Sequence, residues 1–485
     1  MIMLNNFTNL SFKTKPLDHQ LHAVTRFVHQ DFGAFFCEMG TGKTKMLIDI
    51  MGNSPETAGL IIAPNGLHRN WADVEYPKHG TAIGGTDGTA VYVWCGKITT
   101  KKDKLEWETF MEAPGNYAHL LMINIEAVRT ENGYVCCKQF LEKFPDNHMI
   151  IDESSCIKNH RAAQTKCCLK LAKMARRRWI LNGTPITQGP LDLFSQCKFL
   201  HKNCIPYQTF TAFKNTFAIE KRMILQNRTF NVITGYKNLE LLTTELSPFS
   251  LRLEKKDCLD LPEKTFQEYP VEKTKEQGQA YEELLHLCLS QLDDGSIVSA
   301  SMALTKLIKL HQILTGFVKD DLGDIRQIKN NRVKALLDIA YDTKPLVIFC
   351  AYRENVRAVT EALAKTYGDE SVLSYTGGTD SKDRTEAVRR FQDGEVDFFV
   401  GTSAAAKGIT LHRASTVVYF SNNYSLETRL QSQDRIHRIG QTNKCTYVDL
   451  VIKDTIDDAI IQTLSEKHDV SKMVLDDLKN MIQHG

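Results

Sequence analysis

The chain has 485 residues, enough for two or three domains with cores of their own. Apolar residues make up 42% and charged residues 24%, a globular balance that excludes a disordered or collagen-like chain. The formal charge is +2, so any nucleic-acid surface must be a local gathering of basic residues, not a property of the whole protein.

In chain order, the first apolar run is GAFFC (33–37). It leads into CEMGTGKTK (37–45) and then MLIDI. A strand, GTGKT and a helix in that order suit a phosphate-binding loop. The glycines let the backbone approach phosphates, and amides at a helix start point at them. Lys43 would reach the β and γ phosphates, and the Thr44 hydroxyl would hold Mg²⁺. The strict GxxxxGK[ST] pattern is not met, because Cys37 stands where its first glycine falls.

The runs GLIIAP (59–64), HLLMINIE (119–126), HMIIDE (148–153) and RWILNGTP (178–185) follow. Helix-like segments such as RAAQTKCCLKLAKMA (161–175) separate them. Buried parallel strands alternating with helices give this pattern. MIIDES (149–154) ends one strand in Asp-Glu. Asp152 suits the Mg²⁺ side, and Glu153 suits a carboxylate that orients or deprotonates water.

Residues 200–256 have a different texture. Phe210, Phe213 and Phe217 recur at helical spacing, which predicts a helical insertion with a buried aromatic stripe. Tyr207 and the cations Lys214, Lys221, Arg222, Arg228 and Lys237 lie beside it, and aromatics next to cations can also brace nucleotides at a DNA junction. Beyond a linker near DLPEK (260–264), residues 275–316 read as two amphipathic helices.

A second series of runs comprises KPLVIFCAY (344–352), SVLSYTGG (371–378), VDFFVGTS (396–403), STVVYFSN (415–422) and CTYVDLVI (445–452). Within it, QSQDRIHRIGQ (431–441) spaces Arg435 and Arg438 three apart, which on a helix puts both on one face. Arginine keeps its charge and forks onto phosphate oxygens, so the pair suits arginine fingers. The economical architecture is two α/β parallel-sheet lobes in tandem. Lobe 1 spans 1–256, with the insertion at about 200–256. Lobe 2 spans 257–485, with the insertion at about 275–316.

The 13 cysteines include no CxxC, which predicts reduced thiols and no structural zinc. No run approaches ~18 apolar residues and the N-terminal stretch lacks a charged leader, so neither a membrane span nor a signal peptide is expected.

The ordered motifs together resemble the Swi/Snf-type DNA translocases of helicase superfamily two, from LDHQ (17–20) to DLV (449–451). CEMGTGKT, IIAPNGLHRNW (61–71), INIE (123–126), DESSCIKN (152–159), LNGTPI (181–186) and FSLRLEKKDCLDLPEK (249–264) carry the likeness in the first half. FCAY, YTGG with Arg384, GTSAAAKGITL (401–411) and QSQDRIHRIGQ carry it in the second. Three departures stand out: DESS replaces a DEAH-like form, Asn182 stands where threonine is usual, and Thr410 where asparagine is frequent. The resemblance implies two RecA-like lobes with ATP and Mg²⁺ between them and DNA across both.

It further implies a nucleotide set of Gln20 (on the adenine edge), Met39, Gly40, Thr41, Gly42, Lys43, Thr44, Asp152, Glu153, Gly408, Gln431, Arg435 and Arg438. The implied DNA contacts are Asn65, Arg69, Lys158, Thr184, Gly377, Gly378, Arg384, Thr402 and Lys407. The expected activity is a DNA-dependent ATPase moving on DNA and remodelling forks or branches in replication, recombination or repair. A monomer in a prokaryotic or phage-infected cytoplasm is the expected setting. An RNA-directed helicase and a catalytically silent DNA-binding scaffold are the rival readings.

Overall fold

Strands whose residues are apolar on both faces need cover on both faces, and parallel sheets flanked by helices supply it. The first half supplies β1 (Phe32–Cys37), β2 (Ala58–Ala63), β3 (Gly88–Val93), β4 (Tyr117–Asn124), β5 (Asn147–Asp152), β6 (Arg177–Leu181), the hairpin β7 (Ala218–Leu225) and β8 (Arg228–Tyr236), and β9 (Ser250–Leu253). The second half supplies β10 (Lys264–Pro270), a short pair β11 (Phe317–Lys319) and β12 (Ile325–Gln327), then β13 (Leu346–Cys350), β14 (Val372–Tyr375), β15 (Phe398–Thr402), β16 (Thr416–Tyr419) and β17 (Cys445–Val451). This computed structural model describes residues 10–81, 83–225, 228–293, 300–320, 322–377, 381–403 and 409–484.

Two compact units result. One holds the described residues up to Lys221 together with Val232–Leu259 and the chain from Asp469 onward. The other holds Arg222–Asn231 and Asp260–His468. The first unit is built on a seven-stranded sheet in the order β3-β4-β2-β5-β6-β1-β9, with every pairing parallel. The second is built on a six-stranded, all-parallel sheet in the order β10-β17-β16-β13-β15-β14.

Alternation along each strand sends residues to two cores. In the first unit Ala34, Phe36, Leu60 and Ile62 enter one cluster, while Phe35, Ile61 and Ile150 enter another. In the second unit Leu346, Ile348 and Val400 face one side, and Val347, Phe349 and Phe399 the other.

Three strands of the two large sheets lie outside the expected runs, each for a local reason. β3 is an edge strand with Val91 exposed and only Tyr92 buried, so its sequence is too mixed to read as a buried run. β9 is interrupted by Arg252, which becomes tolerable when its guanidinium donates to Phe36 O at 3.1 Å. β10, KTFQEYP, is mostly exposed and pairs with β17 at the sheet edge.

The insertion at 200–256 is also not purely helical. Helix Phe210–Phe217 leads into the β7–β8 hairpin, and helix Leu239–Leu246 leads back to β9 in the main sheet. Phe213 and Phe217 are fully buried, and Tyr207 packs edge-on against both, with its hydroxyl donating to Glu245. Lys214 pairs with Glu220 at 2.9 Å. The aromatic stripe is therefore core. At 275–316 two helices form, Lys275–Asp293 and Ala300–Thr315.

Candidate nucleotide site

Ligands of open parallel sheets bind beyond the carboxyl ends of the strands. In the first unit the GTGKT loop follows β1, Asn65 and Arg69 follow β2, Asp152 ends β5 and Thr184 lies beyond β6. The topology thus gathers these residues beyond the carboxyl ends of neighbouring strands of one sheet.

The loop is shaped by two glycines. Gly40 and Gly42 both sit at φ 86°, a left-handed backbone that disfavours a Cβ. A Cβ on Gly42 would also lie 2.2 Å from Gln20 Nε2. Gly42 caps helix Lys43–Gly52, whose first residue is the motif lysine. Cys37 needs no glycine's freedom, because it is still strand: it is the last, fully buried residue of β1.

Lys43 is 9% exposed and folds over the loop, donating to Cys37 O at 2.8 Å and Glu38 O at 3.2 Å. The Thr41 hydroxyl donates to Glu38 O as well, at 2.8 Å. Gln20 is buried against this loop: its Oε1 accepts from Leu17 N–H at 3.0 Å and its Nε2 donates to Thr41 O at 3.3 Å. Thr44 is half-buried in the first helical turn.

Asp152 is buried at the end of β5. Trp71 Nε1–H donates to its Oδ2 at 2.8 Å and Glu153 N–H to its Oδ1 at 2.9 Å. Burial pushes its carboxyl above the ordinary range. The Trp71 bond, the Lys43 charge and the Glu153 amide pull the other way. A divalent cation would relieve that burial cost, so the donor set of Thr44 and Asp152 fits Mg²⁺. Glu153 takes φ 52°, one of three non-glycine residues with positive φ among those described. Such backbone strain is found where a functional side chain must be aimed.

The sequence reading did not single out Trp71, although it lies in the IIAPNGLHRNW stretch. It opens a five-residue π-helical turn, Trp71–Glu75, of the kind often found at functional sites.

In the second unit, helix Leu426–Gln433 ends before the two arginines. Arg435 and Arg438 lie in the turns after it, so helical spacing does not bring them together. A shared acceptor does: Ile409 O takes Arg435 Nη1–H at 3.2 Å and Arg438 Nη1–H at 3.3 Å. Arg435 is 2% exposed and its Nε donates to Gln431 O at 2.7 Å; Arg438 is half-buried. Gln431 is buried and donates to Glu427 Oε1 at 3.2 Å. Arg429 anchors the preceding helix with a fork onto Asp449, at 2.6 and 2.7 Å, and lies over the Tyr419 ring.

Of the expected DNA contacts, Asn65 and Arg69 are exposed, and Gly377 is exposed just beyond β14. Thr184 and Thr402 are half-buried. Lys158 Nζ donates to Thr187 Oγ1 at 2.5 Å. Arg384 belongs to helix Ser381–Gln392, and its side chain lies outside the described residues, as do Gly378, Lys407 and Gly408.

Family models match most of the chain: a SNF2-related domain over residues 19–321 and a helicase conserved C-terminal domain over 329–440. The chain belongs to the SNF2-related family.

This SNF2-related chain carries its SNF2-related domain first and its helicase conserved C-terminal domain second. It is 24% identical over 451 residues to an uncharacterized ATP-dependent helicase of Mycoplasma genitalium, covering 90% of this chain and 40% of the relative. It is 26% identical over 473 residues to the nuclear protein STH1/NPS1 of Saccharomyces cerevisiae, covering 90% and 33%. It is 25% identical over 508 residues to the DNA annealing helicase and endonuclease ZRANB3 of Mus musculus, covering 99% and 43%. The chain thus spans less than half the length of these relatives. Among solved structures, the Sulfolobus solfataricus SWI2/SNF2 ATPase core in complex with dsDNA matches with a TM-score of 0.41 and 21% identity, over 98% of this chain and 97% of that one. Among the described residues, no helix is long and apolar enough to cross a membrane.

Proposed function

We propose that the protein is a DNA-dependent ATPase that moves along duplex DNA and remodels forked or branched DNA. The observation that carries the ATPase reading is the left-handed Glu153 beside a buried Asp152, at the same carboxyl end of the sheet as the GTGKT loop. Lys43, Gly40, Thr41 and Gly42 bind the phosphates, and Gln20 buttresses that loop while its amide reads the base. Thr44 and Asp152 hold the metal, and bound Mg²⁺ supplies charge neutralisation at the phosphates. Glu153 orients the attacking water and accepts its proton. Arg435 and Arg438 offset charge on the transferred phosphoryl group.

The DNA reading is supported by the family and by exposed Asn65 and Arg69 beyond β2. Contacts to phosphate need no base recognition, which suits a protein that tracks any sequence. Branched substrates in replication, recombination or repair are supported by the likeness to a DNA annealing helicase over 99% of this chain.

The test is phosphate release and strand exchange on duplex, single-stranded, forked and four-way DNA and on RNA. The expected result is ATP turnover stimulated by duplex DNA, with ATP-dependent movement of forks or junctions. Stimulation by RNA alone would replace the reading with an RNA helicase. Absence of turnover on every polymer would leave a silent scaffold.

A further inference from the structure

The φ of 52° at Glu153 is a conformation that a bulky residue holds only when its surroundings over-determine it. The next residue shows how. Ser154 is fully buried, and its hydroxyl donates to Gln196 Oε1 at 2.6 Å. Gln196 is also fully buried and lies in helix Leu193–Leu200, between LNGTPI (181–186) and FSLRLEKKDCLDLPEK (249–264) and inside neither. Its amide uses both protons, donating to Pro185 O at 2.9 Å and Asp192 O at 2.8 Å.

From the other side, Asn182 Nδ2 donates to Ser154 Oγ at 3.4 Å, and Asn182 Oδ1 accepts from Thr184 N–H at 2.8 Å. Asp192 Oδ2 then accepts both the amide and the hydroxyl of Thr187, each at 2.9 Å. Thr187 Oγ1 in turn receives Lys158 Nζ.

Two departures from the family pattern, serine after Asp-Glu and asparagine before Gly-Thr-Pro, therefore meet in one buried hydrogen-bonded cluster, and Gln196 completes it. In a buried cluster each partner is held by the cost of leaving the other unpaired, so the geometry is fixed rather than averaged.

We propose that Gln196 is a positioning residue for ATP hydrolysis. Through Ser154 it fixes the backbone that aims the Glu153 carboxylate. Through Pro185 and Asp192 it ties that aim to the segment 182–187. The inference rests on the reading of Glu153 as the group that orients water, and it assigns Gln196 no contact with nucleotide or DNA.

The experiment compares kcat and KM for ATP, with saturating duplex DNA, in Gln196→Leu, Ser154→Ala, Ser154→Thr and the double variant Ser154→Ala/Gln196→Leu. Thermal midpoints are measured alongside, and Glu153→Gln is the control. The expected result is a kcat lower by about 10- to 100-fold in Gln196→Leu and Ser154→Ala, the scale of a misaimed catalytic group, with KM little changed. The double variant falls no further than the worse single, because both changes cut one link. Ser154→Thr retains the hydroxyl and much of the rate.

Wild-type kcat in both single variants overturns the proposal, and so do losses that multiply in the double. Should Gln196→Leu fold poorly, Ser154→Ala, which removes only one hydroxyl, decides the matter by its kcat at an unchanged midpoint. An inactive Glu153→Gln beside normal Ser154→Ala and Gln196→Leu sinks the positioning role alone. An active Glu153→Gln sinks the reading of Glu153 on which it rests.

Discussion

At the scale of single residues, the proposed nucleotide site depends on a few backbone and charge constraints with measurable consequences. Glu153→Gln removes the proton acceptor and keeps the shape, so it should bind ATP and turn over at least ~100-fold more slowly, as single-turnover phosphate release would show. Gly42→Ala places a methyl group on Gln20 Nε2 in a left-handed loop, so both the loop and its nucleotide affinity should suffer. A fluorescent-nucleotide titration should find ATP binding weakened, and wild-type affinity in Gly42→Ala would show that the loop tolerates both the clash and a side chain at positive φ.

At the scale of elements, the same residue type plays different parts in different settings. Phe213 fills the core beneath the insertion, so Phe213→Ala should cost about 3–5 kcal/mol in a denaturant titration. Replacing Lys214, Lys221 and Arg222 together leaves that core intact. If the insertion serves packing alone, the triple Ala variant keeps both ATPase and fork movement, which a fork-regression assay reads directly.

The turn after helix Leu426–Gln433 makes a similar distinction between its arginines. Arg438 is half-buried, so Arg438→Ala should lower kcat with little change in thermal midpoint. Arg435→Ala should lower kcat by roughly 10³ and also lower the midpoint, since its guanidinium holds two carbonyls in the interior. Full DNA-stimulated turnover in both variants would reduce the turn to a basic surface.

At the scale of the whole molecule, each unit contains a polar group that its core cannot release cheaply. In the first, His148 is fully buried. Trp179 Nε1–H can only donate, so His148 Nδ1 accepts it at 2.9 Å, and Nε2 faces Ser54 Oγ at 2.8 Å. Burial and the nearby Arg177 charge pull this imidazole down to about 3. In the second, burial and Arg332 pull His311 down to about 3.

An unfolded histidine binds a proton below its ordinary pKa of ~6.5, while these two stay neutral in the fold until near 3. The unfolded chain therefore binds more protons as pH falls through that window, and stability drops by up to about 1.4 kcal/mol per pH unit for each histidine. Urea midpoints at about pH 7.5 and about pH 5 should show the lower pH to be less stable, and equal midpoints would contradict a buried neutral state. Arg332 itself is wholly buried, pairs with Asp457 and donates to Leu314 O, Phe420 O and Leu450 O. Its removal would strand the Asp457 charge.

Much of this protein was legible in its sequence because two signals are local. Apolar runs such as GAFFC and LVIFC mark buried strands, since a parallel strand needs cover on both faces and so cannot alternate. GTGKT and the Asp-Glu at a strand's end pointed to the loop and carboxylate of the proposed nucleotide site, because left-handed glycines and a buried carboxylate are matters of backbone and charge within a few residues. Edge strands escaped the same logic. β3 and β10 need little burial, and the arginine in β9 becomes acceptable only beside the Phe36 carbonyl, which is distant in sequence.

Arg435 and Arg438 show the difference at its smallest: their spacing foretold proximity through a helix, whereas a shared carbonyl from Ile409 provides it across a turn. Trp71 on Asp152, and Gln196 on Ser154, lie 81 and 42 residues apart in the chain. Spacing carries no information over such distances. Only the packing of strands side by side and helices on both faces decides which distant side chain completes a buried hydrogen bond.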